Sequence, residues 1–227
     1  MNEKQLAAEY SLEYIEDGMT VGLGSGSTVA FMLNSLSRRI KTGLNITAVS
    51  TSLATAKSAN SLGIKISKLN EIEKIDITID GADEVDENLN GIKGGGGALL
   101  YEKIIASISK KNIWIVDSTK LVKTLGKFPL PVEVVQFGSG QLFKKFKQEG
   151  FNPEFRQANK NRYITDNNNF IIDLKLGKID EVKELDIKLK NFPGVVETGL
   201  FYNVADIVLA GIGDSVQIFD KKKRAQN

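Results

Sequence analysis

Short apolar runs alternate with longer amphipathic stretches along most of this chain, and the alternation predicts its architecture. Met19 to Leu23, Ile46 to Ser50, Ile75 to Ile79 and Ile113 to Val116 are typical of buried strands, because they are short, apolar and bounded by turn residues. Stretches with helical spacing separate them. Strands that alternate with helices of ten or more residues favour a parallel sheet covered on both faces.

The helical stretches end at recognisable signals. Gly18 and Gly63 follow two of them, at positions where a glycine lets the chain leave the helix. A further short strand is predicted at Ile64 to Ile66. The predicted helices cover residues 3–16, 29–40, 51–63, 98–110, 141–148 and 180–190.

The pattern changes near Phe128-Pro129-Leu130-Pro131. Beyond it, helices are separated by strands whose pattern favours antiparallel pairing, until the last apolar strands, ADIVLAGIG and SVQIF, return to the main sheet. The sequence therefore predicts an α/β fold with two domains. Residues 1–129 and 206–227 form the parallel-sheet domain, and residues 130–205 form a smaller, inserted α+β domain.

Composition limits the chemistry more than the fold. Lys and Arg number 30 against 28 Asp and Glu, a formal net charge of +2, so we expect no nucleic-acid partner. The chain has no cysteine and no histidine, which excludes Ser–His and Cys–His catalysis and the common zinc sites. Proton transfer near neutral pH must therefore use carboxylates, lysine or tyrosine.

The N-terminal stretch does not have the character of a targeting signal. It carries four acidic residues by Glu16 and lacks a continuous apolar core, and no apolar run elsewhere approaches membrane-spanning length. The sequence therefore predicts a cytoplasmic protein with no membrane partner.

The first candidate for chemistry is GLGSGST, from Gly22 to Thr28. It follows a strand and opens a helix, where open parallel sheets bind ligands, and its backbone N–H groups and hydroxyls suit an anion. Ser27 takes the place of the last glycine of GxGxxG, and the GxxxxGK[ST] lysine is absent. A compact phosphate is thus a better ligand than NAD or ATP; the alternative is a tight turn with a Ser or Thr helix cap.

The second candidate is DGADEVD, which begins at Asp80 directly after an apolar strand. A carboxylate at the end of a buried strand is partly desolvated and directed into the crevice at the carboxyl ends of the strands. There it can accept hydrogen bonds from sugar hydroxyls and exchange protons with them. A calcium loop fits poorly, because the carboxylates recur at every third residue. The remaining alternative is a solvent-exposed acidic turn.

The third candidate is Lys93 with the glycines Gly94 to Gly97, ahead of a helix that carries Glu102. Four glycines are entropically costly, and they suit a backbone that lies against a ligand and presents N–H groups. Glu102 alone is best interpreted as a surface glutamate. The constellation as a whole supplies a carboxylate base and donors for enediolate oxygens, which proton transfer between C1 and C2 of an open-chain sugar phosphate requires, without a metal or cofactor.

These three segments, followed in order by IVDSTK, LGKFPLPVEV and FPGVVETGLF, resemble the ribose-5-phosphate isomerases of the A type, from Lys4 to about Gly213. The resemblance implies a Rossmann-like α/β domain with a small α+β lid, assembled as a homodimer or homotetramer. It also implies the interconversion of D-ribose 5-phosphate and D-ribulose 5-phosphate in the pentose phosphate pathway, with no cofactor.

The resemblance further implies roles for individual residues. Glu102 matches the base that transfers the proton, and Asp80 and Asp83 match the aspartates that bind the sugar and assist ring opening. Lys93 belongs to the loop that holds the reacting end, and Lys4 and Lys120 are basic contacts to the substrate or its phosphate. The other implied substrate-binding residues are Ser25, Gly26, Ser27, Thr28, Gly81, Ala82, Gly94, Gly95 and Gly96.

Other activities use the same style of fold, among them glucosamine-phosphate deaminases, lactonases, coenzyme A transferases and sugar-sensing repressor domains. A sugar-phosphate sensor needs no base and normally carries a DNA-binding module, for which we expect no room in this chain. A coenzyme A transferase also uses a glutamate, but as a nucleophile that forms a covalent thioester. Conversion of ribose 5-phosphate by the protein would distinguish these alternatives from the isomerase.

Overall fold

The computed structural model describes residues 2–224. Its helices are α1 (Glu3–Ser11), α2 (Ser27–Lys41), α3 (Leu53–Ser61), α4 (Leu99–Ser107), α5 (Ser139–Gln148), α6 (Val182–Lys190) and α7 (Lys221–Arg224). Its strands are β1 (Thr20–Leu23), β2 (Thr47–Ser50), β3 (Ile77–Asp80), β4 (Glu84–Val85), β5 (Gly91–Ile92), β6 (Asn112–Asp117), β7 (Leu130–Val134), β8 (Pro153–Phe155), β9 (Gln157–Ala158), β10 (Asn161–Arg162), β11 (Phe170–Leu174), β12 (Val195–Thr198), β13 (Leu200–Phe201), β14 (Ile207–Ile212) and β15 (Ser215–Asp220). Single 3-10 turns cover Leu12–Tyr14, Leu69–Glu71 and Ser118–Lys120.

The chain divides into two compact units. Within the described residues, the first unit comprises 2–82, Tyr101–Leu121 and 203–224, and the second comprises Asp83–Leu100 and Val122–Tyr202. The division differs from the boundaries expected from sequence: residues 83–100 and 122–129 belong to the second unit, and residues 203–205 belong to the first. The physical reason is pairing: β4 and β5 lie in the first of these segments, and β5 pairs with β13 of the same unit.

The first unit is built on a six-stranded sheet in the order β15-β14-β6-β3-β1-β2. All neighbours are parallel except β15, which is antiparallel to β14. The predicted parallel sheet and the return of the last two strands to it are confirmed. The strand predicted at Ile64 to Ile66 is wrong: Ile66 makes only an isolated bridge with Ala48.

The two faces of this sheet are covered by different helices. Val21 and Leu23 of β1 join one apolar core with the buried sides of α1 and α2. Gly22 points to the opposite face, where a Cβ would lie 2.9 Å from Ile105 of α4. The period of two along a strand therefore places Thr78 and Asp80 of β3 on the α4 face, because Ile77 and Ile79 belong to the first core.

Among residues 2–224, no helix combines the length and apolarity needed to cross a membrane.

The second unit contains a four-stranded antiparallel sheet in the order β12-β7-β11-β8. Val132, Val134 and Ile172 from this sheet pack with Phe146 of α5 and Leu189 of α6 in a separate apolar core. The antiparallel pairing expected for this part of the chain is confirmed. Two small sheets, β13-β5-β4 and β10-β9, complete the unit.

Candidate active site

Three loops of the first unit leave the same edge of its sheet. Strands β1, β3 and β6 are adjacent and parallel, so their carboxyl ends meet at one edge. The loops that follow them cover residues 24–28, 80–82 and 117–120, and all three were predicted to bind substrate. In the first unit, the fold thus brings together segments that are far apart in the sequence.

Asp80, at the start of the loop 80–82, holds the neighbouring loop of residues 24–28 in place. It is the last residue of β3 and only 3% exposed. Its Oδ1 atom accepts hydrogen bonds from the N–H groups of Ser25, at 2.8 Å, and Gly81, at 2.7 Å. A Cβ atom on Gly24 would lie 2.1 Å from the same oxygen, so the close approach of the two segments requires glycine there. The Asp80 carboxylate and the loop of residues 24–28, here called the anion loop, therefore form one rigid arrangement.

The Ser25 side chain lies in a cluster of four hydroxyls. Its Oγ atom lies 2.8 Å from Thr51 Oγ1, 2.8 Å from Ser52 Oγ and 3.0 Å from Thr55 Oγ1. A hydroxyl donates one hydrogen bond and accepts two, so these contacts use all of its capacity. Ser25 thereby joins the loop to the start of α3.

Lys4 reaches the anion loop from the beginning of α1. Its Nζ atom donates a hydrogen bond to Ser27 Oγ at 3.0 Å and lies 4.0 Å from Asp117 Oδ2. Ser27 is exposed, and Gly26 before it, at φ +109°, provides no side chain to cap α2. A lysine ammonium, a hydroxyl and an uncapped helix start are therefore adjacent, which is the chemistry that binds a phosphate.

Glu3 fixes the position of Lys4. Its carboxylate accepts hydrogen bonds from Ser118 Oγ at 2.6 Å, from Ser118 N–H at 3.0 Å and from Gly213 N–H at 2.9 Å. The bond from the Ser118 hydroxyl, followed by the two backbone bonds, holds the pKa of Glu3 below its ordinary value. Sequence reasoning did not select Glu3, since its role depends on residues more than a hundred positions away.

The other predicted residues of the first unit lie at the same edge. Thr28 is buried in the first turn of α2, and Gly81 and Ala82 continue the chain from Asp80. Lys120 ends the 3-10 turn after β6 and is partly exposed. The contacts of these residues with the substrate stay predictions.

Glu102 lies on the buried side of α4 and is 5% exposed. Ile105 and Ala106, three and four residues later on the same helical face, are also buried. The end of α4 lies at the start of β3, as the bridge between Ile75 and Ser109 shows, so the beginning of α4 lies toward the carboxyl edge. Glu102 is therefore not the water-facing glutamate that its sequence position alone would suggest.

In the second unit, Lys93 and the glycines after it form a tightly held loop. Lys93 is 2% exposed, its N–H donates to Gly199 O at 2.9 Å, and its Nζ lies 5.4 Å from the centroid of the Phe201 ring. Asp83 Oδ2 accepts a hydrogen bond from Gly95 N–H at 2.7 Å. The second predicted aspartate thus orients the backbone of the predicted loop.

The four glycines of this loop differ in what surrounds them. A Cβ on Gly95 would lie 2.5 Å from Asp83 Oδ1, whereas a Cβ on Gly96 would meet no atom within 4 Å. Gly96 is exposed, and its backbone does not need glycine for a left-handed conformation. The protein's own packing therefore explains Gly95 but not Gly96.

The sequence analysis missed three residues that hold this loop through its carbonyl groups, namely Arg156, Tyr163 and Asp173. Arg156 and Tyr163 donate hydrogen bonds to the carbonyl groups of Gly94, Gly95 and Gly96, and Asp173 holds Arg156. They come from a polar stretch and a strand more than fifty residues away. No motif marks them in a single sequence.

Relatives of this chain are found over nearly its whole length. Residues 47–215 match the family model of Ribose 5-phosphate isomerase A (phosphoriboisomerase A). Ribose-5-phosphate isomerase A of Streptococcus gordonii is 48% identical over 223 residues, which are 98% of this chain and 99% of that protein. The protein of the same name from Streptococcus thermophilus is 50% identical over 221 residues, which are 96% and 98% of the two chains.

Solved structures of similar proteins share the fold. A D-ribose-5-phosphate isomerase in complex with phospho-erythronic acid has a TM-score of 0.93 and 40% identity, covering 97% of this chain and 100% of its own. Ribose 5-phosphate isomerase A from Methanocaldococcus jannaschii has a TM-score of 0.91 and 37% identity, covering 96% and 98%. The α/β fold class with a parallel-sheet core, predicted from sequence, is confirmed by these matches.

Proposed function

Because this chain belongs to the ribose 5-phosphate isomerase A family, we propose that it interconverts D-ribose 5-phosphate and D-ribulose 5-phosphate through an enediolate, with Glu102 as the base. The observation that carries the proposal is the burial of Glu102 on the face of α4 that covers the sheet. A glutamate with only a surface role would lie on the opposite face. A buried carboxylate near the carboxyl edge of the sheet supports a role for Glu102 in proton transfer.

The proposed reaction moves one proton between two neighbouring carbons. In the aldose, Glu102 removes the proton from C2, and the electrons of that C–H bond form the C1–C2 double bond of the enediolate while the negative charge passes to O1. Glu102 then returns a proton to C1, while a proton moves from O2 to O1, and the ketose results. Positioned carboxylates contribute about 10²- to 10⁴-fold to such steps.

Donors are needed where the negative charge develops. We assign this part to Lys93 and to the N–H groups of the loop 94–96 other than that of Gly95, which donates to Asp83 and so holds the backbone of the loop. A preorganised donor of this kind is worth roughly 3 to 4 kcal/mol at the transition state. Asp80 and Asp83, as carboxylates, accept hydrogen bonds from the sugar hydroxyls. When the furanose ring opens, one of them takes the proton of the anomeric hydroxyl and gives it to the ring oxygen as the bond from C1 to that oxygen breaks.

The phosphate end is assigned to the anion loop of the first unit. Lys4, the exposed Ser27 and the start of α2 supply an ammonium, a hydroxyl and backbone donors. Ser25 has the different role of shaping this loop, because its hydroxyl is used by the cluster with Thr51, Ser52 and Thr55. Lys120 is assigned to the same end of the substrate.

Isotope transfer tests the mechanism as well as the activity. Ribose 5-phosphate is incubated with the protein in D₂O, and the ribulose 5-phosphate formed is analysed by NMR. The enediolate mechanism predicts deuterium from solvent at C1 of the product, because the carboxylate exchanges its proton with water. Product without deuterium would point to direct hydride transfer, and no product at all would refute the isomerase.

The homodimer or homotetramer and the cytoplasmic location stay predictions. Sedimentation of the purified protein measures its oligomeric state.

A further inference from the structure

Arg156 holds two consecutive carbonyl groups of the glycine loop. Its Nη1 atom donates hydrogen bonds to Gly94 O at 2.7 Å and to Gly95 O at 3.0 Å. Its Nε and Nη2 atoms bind the two carboxylate oxygens of Asp173, at 2.9 Å and 2.5 Å. The bidentate ion pair with Asp173 fixes the plane of the guanidinium. The Arg156 Nη1 group therefore donates to the two carbonyl oxygens from a fixed direction.

Tyr163 holds the third carbonyl of the same loop. Its hydroxyl donates a hydrogen bond to Gly96 O at 3.1 Å. Its ring packs on Gly97, where a Cβ would lie 2.4 Å from the hydroxyl oxygen. Three successive carbonyl groups, those of Gly94, Gly95 and Gly96, therefore receive hydrogen bonds from side chains of the segment 156–163.

Fixing these carbonyls also fixes the N–H groups of the loop. In a trans peptide the C=O of one residue and the N–H of the next point in opposite directions, and the chain has no cis peptide among its described residues. The bond from Arg156 to Gly95 O therefore directs the N–H of Gly96 away from Arg156. Within residues 2–224 this N–H donates no hydrogen bond to another residue, while those of Gly95 and Gly97 bind Asp83 and Gly94 O.

We propose that Arg156 and Tyr163 are positioning residues of the isomerase: Arg156 sets the orientation of the Gly95–Gly96 peptide, which presents the Gly96 N–H to the reacting end of the sugar, and Tyr163 fixes the peptide that follows it. This inference rests on the proposed function. It adds residues that lie outside every motif by which the chain resembles its family. Neither residue touches the substrate in this scheme, and both act through the backbone of the loop.

Two variants test the proposal with little disturbance of the fold. Tyr163→Phe removes one oxygen atom and keeps the ring against Gly97, and Arg156→Lys keeps the charge but cannot bind Asp173 and two carbonyls in one plane. The matched control is Arg162→Lys, close by in the sequence. Its guanidinium lies 3.8 Å from the centroid of the Phe155 ring and, within residues 2–224, makes no hydrogen bond to the glycine loop.

The expected kinetic effect is on turnover, because an oriented donor acts most strongly on the developing enediolate. We expect kcat to fall about 3-fold in Tyr163→Phe and about 10-fold or more in Arg156→Lys, with KM changed less than about 2-fold. Affinity for phospho-erythronic acid, which carries a carboxylate at the carbon that reacts in the sugar, should fall in parallel with kcat/KM. The Arg162→Lys control should match the wild type in all three quantities.

A second measurement does not depend on activity. Amide hydrogen exchange of Gly95 and Gly97, followed by NMR in the ligand-free protein, should accelerate in Tyr163→Phe and Arg156→Lys and stay unchanged in Arg162→Lys. Variants with wild-type exchange, wild-type kcat/KM and wild-type affinity for phospho-erythronic acid would overturn the inference. If the wild-type protein itself fails to isomerise ribose 5-phosphate, the proposed function is refuted instead, and the role of both residues in the reaction falls with it.

Discussion

Gly24 and Asp80 lie so close that a Cβ atom on the glycine would be 2.1 Å from Oδ1 of the aspartate and 2.4 Å from its Cα. The same oxygen accepts the N–H of Ser25. The carboxylate after β3 and the anion loop after β1 therefore cannot move independently of each other. In the proposed reaction, this contact fixes the position of Asp80, which binds the sugar, relative to the anion loop, which binds the phosphate.

The variant Gly24→Ala should lose activity because the added methyl group must displace Asp80. A misplacement of about 1 Å lowers kcat/KM by roughly 100-fold, and overpacking of this kind costs about 1–3 kcal/mol of unfolding free energy. Steady-state kinetics and urea unfolding measure the two effects. The control is Gly140→Ala, where a Cβ meets no atom within 4 Å, and wild-type kinetics in Gly24→Ala would contradict the tight contact.

The variant Glu102→Gln should bind substrate but not convert it. The amide has the size of the carboxylate but cannot accept the proton from C2, so we expect kcat to fall by about 10²- to 10⁴-fold with a nearly unchanged Kd for phospho-erythronic acid. Assays of ribulose 5-phosphate formation and calorimetric titration measure both. Glu184→Gln, an exposed glutamate of α6, is the matched control. A Glu102→Gln protein with near-full turnover would exclude Glu102 as the base.

Ser25 and Ser27 should give opposite results when each is replaced by alanine. Ser25→Ala leaves buried hydroxyls of the cluster without a partner, and we expect a loss of about 1–3 kcal/mol in unfolding free energy. Ser27→Ala removes an exposed hydroxyl beside Lys4, so KM should rise roughly 3- to 10-fold with stability nearly unchanged. Equal effects of the two changes on KM, with equal stability, would show that the hydroxyl cluster has no separate structural role.

Gly96→Ala should preserve the fold and damage catalysis. The added methyl group meets no protein atom, so the unfolding free energy should change by less than about 0.5 kcal/mol. If the substrate lies against this backbone, as we propose, the methyl group occupies its place, and kcat/KM should fall about 10-fold or more. Gly140→Ala again controls for a methyl group added in open space. Unchanged kcat/KM in Gly96→Ala would mean that no ligand approaches this residue.

Glu133 predicts a pH dependence of stability. This residue of β7 is fully buried, and burial raises the pKa of its carboxyl above its ordinary value of 4.5, although Thr165 and Asn169 donate hydrogen bonds to it. Above 4.5 and up to the raised pKa, the folded protein keeps a proton that the unfolded chain has released. The unfolding free energy contributed by this group therefore falls as pH rises through that window.

The variant Glu133→Gln should remove this slope, because the amide does not titrate. Urea unfolding at a series of pH values from about 4 to 8 should show the stability of Glu133→Gln rising relative to the wild type across the window and then levelling off. Glu87→Gln, at an exposed position of the same unit, should give a nearly constant difference. A constant difference for Glu133→Gln as well would contradict the raised pKa.

Local pattern was sufficient for the main sheet and insufficient for the boundaries of the units. Met19 to Leu23 and Ile113 to Val116 are short runs of mostly apolar residues between turn signals, and they form β1 and β6 with each end shifted by at most one residue. Gly91–Ile92 is a two-residue strand whose existence depends on pairing with Leu200–Phe201. Such pairing is a property of distant segments, so residues 83–100 could not be assigned to the second unit from their own sequence.

The candidate site shows the same limit. Asp80, Lys93 and Glu102 stand in glycine-rich or acidic segments whose composition is itself unusual, and this made them visible. Arg156 and Tyr163 lie in a polar stretch with no such signal, and their importance comes from the carbonyl groups they reach. The Ser25 hydroxyl was expected at the substrate, because the sequence shows a hydroxyl in the loop but not its three partners around α3.

The contact between Glu3 and Gly213 joins residues that are 210 positions apart. Gly211, beside it, leaves no room for a side chain, since a Cβ would lie 2.0 Å from Glu3 O. During synthesis, α1 therefore leaves the ribosome long before β14 is made. The segments between them can begin to fold before β14 is available. Helix α1 also packs against α2 and β6, so its packing begins on segments made earlier and is completed only when β14 has been made.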